Sequence, residues 1–190
     1  MAVLTELLCA DLQRQYDLEE RIGERASVGK VVLRLLHPRF LPLVLCRLSR
    51  ACLLARIPIL PRLFTYANIL LFGIEVTPRC DIGPGLFFPH TSGTVIGAWR
   101  IGSNATIYQN VTLGAKNLDM HFDVAMRPEL GEGVTLGAGC KVLGGIKLGN
   151  SVIVGANSVV LESAEAHAVL IGVPARTHRR VAEPALEADS

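Results

Sequence analysis

Among the residues of types that do chemistry, the five histidines and five cysteines are the most telling, and their spacing narrows what chemistry that is. His90 stands in Pro89-His90-Thr91-Ser92-Gly93, an imidazole among small neighbours. With an unperturbed pKa of about 6.5, imidazole is largely neutral at physiological pH and can take a proton from a hydroxyl. A second string, Asp119-Met120-His121-Phe122-Asp123, holds residue types that ligate divalent ions. With a single His and no further ligands in register, it reads as acceptor binding or a solvated loop, and no metal is expected. The five cysteines, Cys9, Cys46, Cys52, Cys80 and Cys140, are odd in number and never in C-x-x-C spacing. That argues against a disulfide framework and a zinc site, and fits a reducing cytoplasm. Cys140 reads as core filling, since nothing basic is placed to lower its pKa.

What positions these residues is a repeat. Aliphatic side chains fall every sixth position at Leu130, Leu136, Val142, Leu148, Val154 and Val160, and Val134, Cys140, Ile146 and Val152 follow four positions after the first four. The same period runs earlier through Val95, Ile101, Ile107 and Leu113, with Trp99, Ala105 and Val111 between. A period of six suits neither an α-helix nor simple strand alternation; it suits a prism of short flat strands joined by tight turns. Every sixth side chain then points to the axis, small residues bend the chain at the corners, and three hexads complete a triangular turn. Stacked turns bury each other's aliphatic faces, so the unit is stable only as a run. Composition agrees: half the residues are hydrophobic but only 5% are aromatic, which suits thin regular layers.

The register breaks twice. Seventeen positions separate Leu113 from Leu130, and the polar stretch between them reads as a loop ejected at about 115–129. Around His90, Ile82 and Phe88 keep one register and Val95 opens another. Loops and slips on a rigid scaffold are where function tends to sit.

Residues 1–73 lack the hexad. A Leu-rich run from Leu4 to Arg25, then Leu/Arg-rich segments punctuated by Pro38, Pro42, Pro58 and Pro61, predict two or three short helices ahead of the prism. Residues 1–29 carry six acids against three Arg, whereas 30–72 carry seven basic residues and no acid. That acid-free stretch suits a wet helix face, a phosphate or an acidic partner, or peripheral contact with a membrane. The net charge of +2 does not imply nucleic acid. The N-terminus lacks the basic region of a signal peptide, and the apolar run Leu63 to Ile74 is too short to span a bilayer. The expected organisation is a helical region over 1–73, a prism over 74–176 and a tail over 177–190.

The stretches GIEVTPRCDIGPGLFFPHTSGTVIG (73–97), IYQNVTLG (107–114), the hexads and GVPAR (172–176), in that order, resemble serine acetyltransferases and related hexapeptide O-acetyltransferases. The resemblance implies a left-handed parallel β-helix, a homotrimer and direct acetyl transfer from acetyl-CoA to a hydroxyl. It implies His90 as general base and Glu75, fifteen residues earlier, as the carboxylate on its other nitrogen. Backbone amides at Gly114 and Ala115 would hold the oxyanion. Gly137, Ala138, Gly155 and Ala156 would line the pantetheine groove between prisms, with Arg176 and Arg179 meeting the nucleotide end.

The departures bear on the acceptor. Serine acetyltransferases have Asp before the catalytic His, where this chain has Pro89, and Arg-His-Pro in the ejected loop, where it has Met126-Arg127-Pro128. Pro89, Arg127 and His121 are thus the acceptor-side candidates. The N-terminal part is shorter than in that family, which leaves the pairing of trimers open. The leading expectation is an O-acetyltransferase of a small hydroxylated acceptor, such as a sugar, a specialised metabolite or a hydroxy amino acid. The alternatives are L-serine O-acetylation for cysteine synthesis, and a non-catalytic scaffold that presents its Arg-rich helices to a partner.

Overall fold

The computed structural model describes residues 4–21 and 23–180. Four helices precede the prism rather than two or three: α1 (Leu4–Leu18), α2 (Val28–Arg34), α3 (Leu41–Leu54) and α4 (Leu60–Phe72). The prolines explain the difference. Pro42 and Pro61 sit in the first turns of α3 and α4, where a missing N–H costs nothing, so they open helices instead of only breaking them. Gly73 closes α4 in a left-handed conformation and hands the chain to the prism.

Three sheets form the prism faces. The first stacks β1 (Ile74–Val76), β3 (Thr94–Ile96), β6 (Thr112–Gly114), β9 (Lys141–Leu143) and β12 (Val159–Val160). The second stacks β2 (Asp81–Ile82), β4 (Arg100–Ile101), β7 (Glu129–Leu130) and β10 (Lys147–Leu148). The third stacks β5 (Thr106–Ile107), β8 (Thr135–Leu136), β11 (Ile153–Val154), β13 (Ala168–Gly172) and β14 (Ala175–Arg180). All pairings are parallel except β13 with β14, the arrangement of a left-handed parallel β-helix. β14 runs to 180, so the chain is still paired where the sequence suggests a tail from 177; residues 181–190 lie outside the described residues.

The inward hexad residues Leu130, Leu136, Val142, Leu148, Val154 and Val160 are each at most 2% exposed. Burying each such side chain stabilises the stack by roughly 1.5–3 kcal/mol. One register assignment is corrected: Val95 faces outward, and Ile96 fills the axis. Ile96 stands opposite Leu113, so only five residues remain to reach Ile101, and the corner closes on buried Ala98 instead of Trp99. Strand alternation turns a one-residue slip into an exchange of faces.

More than half of the basic side chains in 30–72 are paired with carboxylates from other segments. Lys30 pairs with Glu24, Arg34 with Glu19, Arg47 with Asp11 and Arg50 with Asp81, so four of the seven basic residues in the acid-free stretch are taken. Arg47 and Asp11 are buried. Removing either partner would strand the other charge, at about 3–5 kcal/mol. Among the described residues, no helix is long and apolar enough to cross a membrane.

Candidate active site

His90 is exposed on the turn between β2 and β3. The turn is pinned to the end of α4: Thr91 Oγ1 donates to Phe72 O at 2.9 Å, and Gly93 N to Gly73 O at 2.9 Å. From the coil above, Asn110 N donates to Ser92 O at 2.9 Å. Gly93 (φ +72) and Asn110 (φ +58) both take the left-handed conformation at this corner. A Cβ on Gly93 would strike Asn110 Oδ1, so only glycine fits directly after His-Thr-Ser. The imidazole lines a cleft of about 540 Å³ with Pro38, Arg39, Leu71, Phe72 and half-buried Pro89.

The same corner continues upward through the residues assigned to the donor. Gly139 N donates to Gln109 O and Asn157 N to Ala138 O, while Gly137 N reaches Val154 O. A Cβ on Gly137 would press on Ala156 N and Val154 O, so Gly137, Ala138, Gly155 and Ala156 form one small-residue edge above the His90 turn. At the top, Arg176 and Arg179 lie exposed on β14, opposite Ile171 and Val169, and Arg176 makes a 3.5 Å ion pair with Glu162.

Glu75 lies elsewhere. It points outward from β1, opposite Val95, and lines a separate cleft of about 400 Å³ with Gly114, Ala115, Asp119, Phe122 and Arg127. Gly114 faces open space there, since a Cβ would meet nothing within 4 Å. His90 precedes the Gly73–Gly93 corner and Glu75 follows it, so the two side chains open into different clefts. Among the described residues no hydrogen bond or ion pair joins them, and the expected pair is not assembled in one prism.

The loop also departs from expectation. The Arg127 guanidinium is held by Asp119 through Nε at 2.9 Å and Nη2 at 2.7 Å, and donates through Nη1 to Gly97 O at 2.9 Å. Asp119 further accepts from the amides of His121 and Asp123. Burial works against its ionisation, but the Arg127 hydrogen bonds and the two amides outweigh it and hold the carboxyl below the usual aspartate value. Arg127 is therefore a strut of the loop rather than a free cation, and its 4.2 Å approach to the Phe122 ring adds to its anchoring. His121 is exposed, and its carbonyl accepts from Arg79 Nη1 at 3.2 Å. Among the described residues, no group of three or more His, Cys, Asp or Glu can hold a metal ion.

Two contributions are not marked in the sequence: the place of Arg79 and the pairing of Asp119 with Arg127. Arg79 lines the Glu75 cleft with no periodic signal to mark it. Asp119 organises the loop, and its only trace was the Asx-rich string around His121.

Residues 127–162 match the family model described as bacterial transferase hexapeptide (six repeats). The chain is 38% identical over 168 residues to a serine acetyltransferase of Helicobacter pylori (strain J99), covering 87% of this chain and 96% of that protein. A serine acetyltransferase of Synechococcus elongatus is 38% identical over 158 residues, 82% of this chain and 64% of that protein, so here the chain spans just under two thirds of its relative. Among solved structures, serine acetyltransferase from Neisseria gonorrhoeae superposes with a TM-score of 0.81 at 27% identity, covering 95% of this chain and 68% of that one. A serine acetyltransferase in complex with CoA gives 0.77 at 27% identity, with 92% and 69% covered. The chain matches nearly the whole length of the Helicobacter protein, whereas the Synechococcus protein and the two solved structures are longer than the part matched.

Proposed function

The chain belongs to the serine acetyltransferase family, and on that premise we propose that it transfers the acetyl group of acetyl-CoA to the hydroxyl of L-serine. The carrying observation is 38% identity through 96% of the Helicobacter protein. This narrows the broader expectation of an unspecified small acceptor. His90 takes the hydroxyl proton as the oxygen attacks the thioester carbonyl. Amides at Gly114 and Ala115 stabilise the oxyanion, and collapse releases CoA, whose sulfur receives the proton from the imidazolium. Acetyl-CoA lies along the small-residue edge from Ala156 down to the His90 turn, with Arg176 and Arg179 near the nucleotide end.

A homotrimer completes the site. The His90 cleft and the Glu75–Gly114 cleft flank one corner of the prism, and a heterologous ring brings the first of one protomer against the second of its neighbour. Exposed apolar side chains on both sides support this: Leu71 in the His90 cleft, and Met120, with Leu118 nearby in the same loop, in the Glu75 cleft. Glu75 of the neighbour then holds the imidazolium. The test is thiol release from acetyl-CoA with L-serine, alongside light scattering for the mass. A monomer with full activity, or no serine-dependent release, overturns the reading.

A different hydroxylated acceptor is the second reading. It is favoured by Pro89 beside His90 and by the engagement of Arg127 with Asp119. A panel of sugars and hydroxy acids in the same assay separates the two.

A further inference from the structure

A parallel β-helix has an open end, where the last coil presents backbone groups that no further coil can pair. Here that end is the edge formed by β1 and β2, and the coil exposed there is the one that carries His90. Unpaired strand edges invite fraying and need a cover. α1 and α3 supply it through one buried pair. Arg47 Nη1 donates to Ile82 O and Nη2 to Gly83 O, while Nε and Nη2 hold Asp11 at 2.9 Å. Asp11 Oδ1 in turn accepts from Leu86 N at 2.9 Å. Two side chains thus stand in for the missing coil under the segment that leads through Phe87 and Phe88 to Pro89 and His90.

We propose that the Asp11–Arg47 pair is a positioning device for the general base, through which the N-terminal helices hold the His90 coil in its reactive geometry. The inference rests on His90 being the base. Planar guanidinium is the group that can bridge two carbonyls and a carboxylate at once, and Lys cannot copy it. Loosening the clamp leaves the sheet bonds of Phe87 in place but frees the terminal coil to open locally. The donor edge at Gly137, Ala138, Gly155 and Ala156 lies on higher coils and is not touched. The effect therefore falls on the chemical step and not on donor binding.

The experiment compares Asp11→Asn and Arg47→Lys with Ser49→Ala. Ser49 is buried on the same helix α3 and bonds Pro61 O at 2.8 Å, away from 82–86. All are assayed below the melting temperature of the least stable, with amide hydrogen exchange followed over 82–92. The expected result is a kcat loss of about tenfold to a hundredfold in both clamp variants, KM for acetyl-CoA unchanged, and faster exchange over 82–92. Ser49→Ala should melt earlier but keep its kcat. Unchanged kcat in a folded clamp variant, or an equal loss in Ser49→Ala, overturns the proposal. If Asp11→Asn does not fold, Arg47→Lys decides alone because it keeps the charge, and its own failure to fold counts against a role separable from stability. His90→Ala runs in parallel: full activity there removes the base assignment, whereas the exchange over 82–92 reports on the clamp regardless.

Discussion

Arg127 Nη2 lies 2.7 Å from Asp119 Oδ2, eight residues apart in one loop, and Nε approaches the same oxygen at 2.9 Å. The cation placed on the acceptor side by sequence is thus first a structural partner of a nearly buried carboxylate. It still lines the Glu75 cleft, with its charge balanced by Asp119.

The loop should therefore open in acid. Asp119 ionises more readily in the folded chain than in the unfolded one, so its contribution is complete above the ordinary aspartate value of 3.8 and is lost as pH falls through its lower folded value. Protection against hydrogen exchange over 115–129, taken relative to the intrinsic rate at each pH, should be high at pH 5 and fall only below about pH 4. Asp119→Asn should show the low protection already at neutral pH.

The register slip at β3 makes an asymmetric prediction for adjacent residues. Ile96→Ala should lower the unfolding free energy by about 2–5 kcal/mol, since it empties an axial position 1% exposed. Val95→Ala, at an outward position 38% exposed, should cost below about 1 kcal/mol. Urea denaturation of both variants checks this, and equal costs would restore the simple hexad.

Two glycines separate stability from chemistry. Gly93→Ala forces a side chain into the left-handed region and against Asn110, and should cost about 1–3 kcal/mol in thermal or urea melts. Gly114→Ala meets nothing within 4 Å and should melt like the wild type. Its turnover should nonetheless fall by about tenfold or more, because the new methyl enters the space beside the oxyanion amides.

The cysteines should split by burial. Burial pushes the thiols of Cys46, Cys80 and Cys140 up to about 12. At pH 8 a thiol-disulfide reagent should titrate Cys9 and Cys52 in the native protein, and all five only after denaturation.

The prism was legible because its axial positions obey a strict period, which six aliphatics from Leu130 to Val160 do not share by accident. The choice between Val95 and Ile96 was not, since either can fill an axis and only the pairing of Ile96 with Leu113 decides. Pro42 and Pro61 were visible as punctuation, but whether a proline ends or opens a helix depends on the residues around it. The basic stretch looked like a surface because its partners Asp11, Glu19 and Glu24 sit in a different segment. At the site, Gly137, Ala138, Gly155 and Ala156 stand at hexad corners, and it is the family resemblance that suggests them for the donor. The separation of His90 from Glu75 did not, because it depends on the corner between them and not on their fifteen-residue spacing. Likewise no period marks the pairing of Asp119 with Arg127.

The most direct measurement is serine-dependent release of CoA thiol by wild type and His90→Ala, with CoA binding followed calorimetrically on both. The assignment of His90 as general base predicts a rate loss of about 10²–10⁴-fold in the variant with CoA affinity preserved. A His90→Ala protein as active as wild type would contradict it.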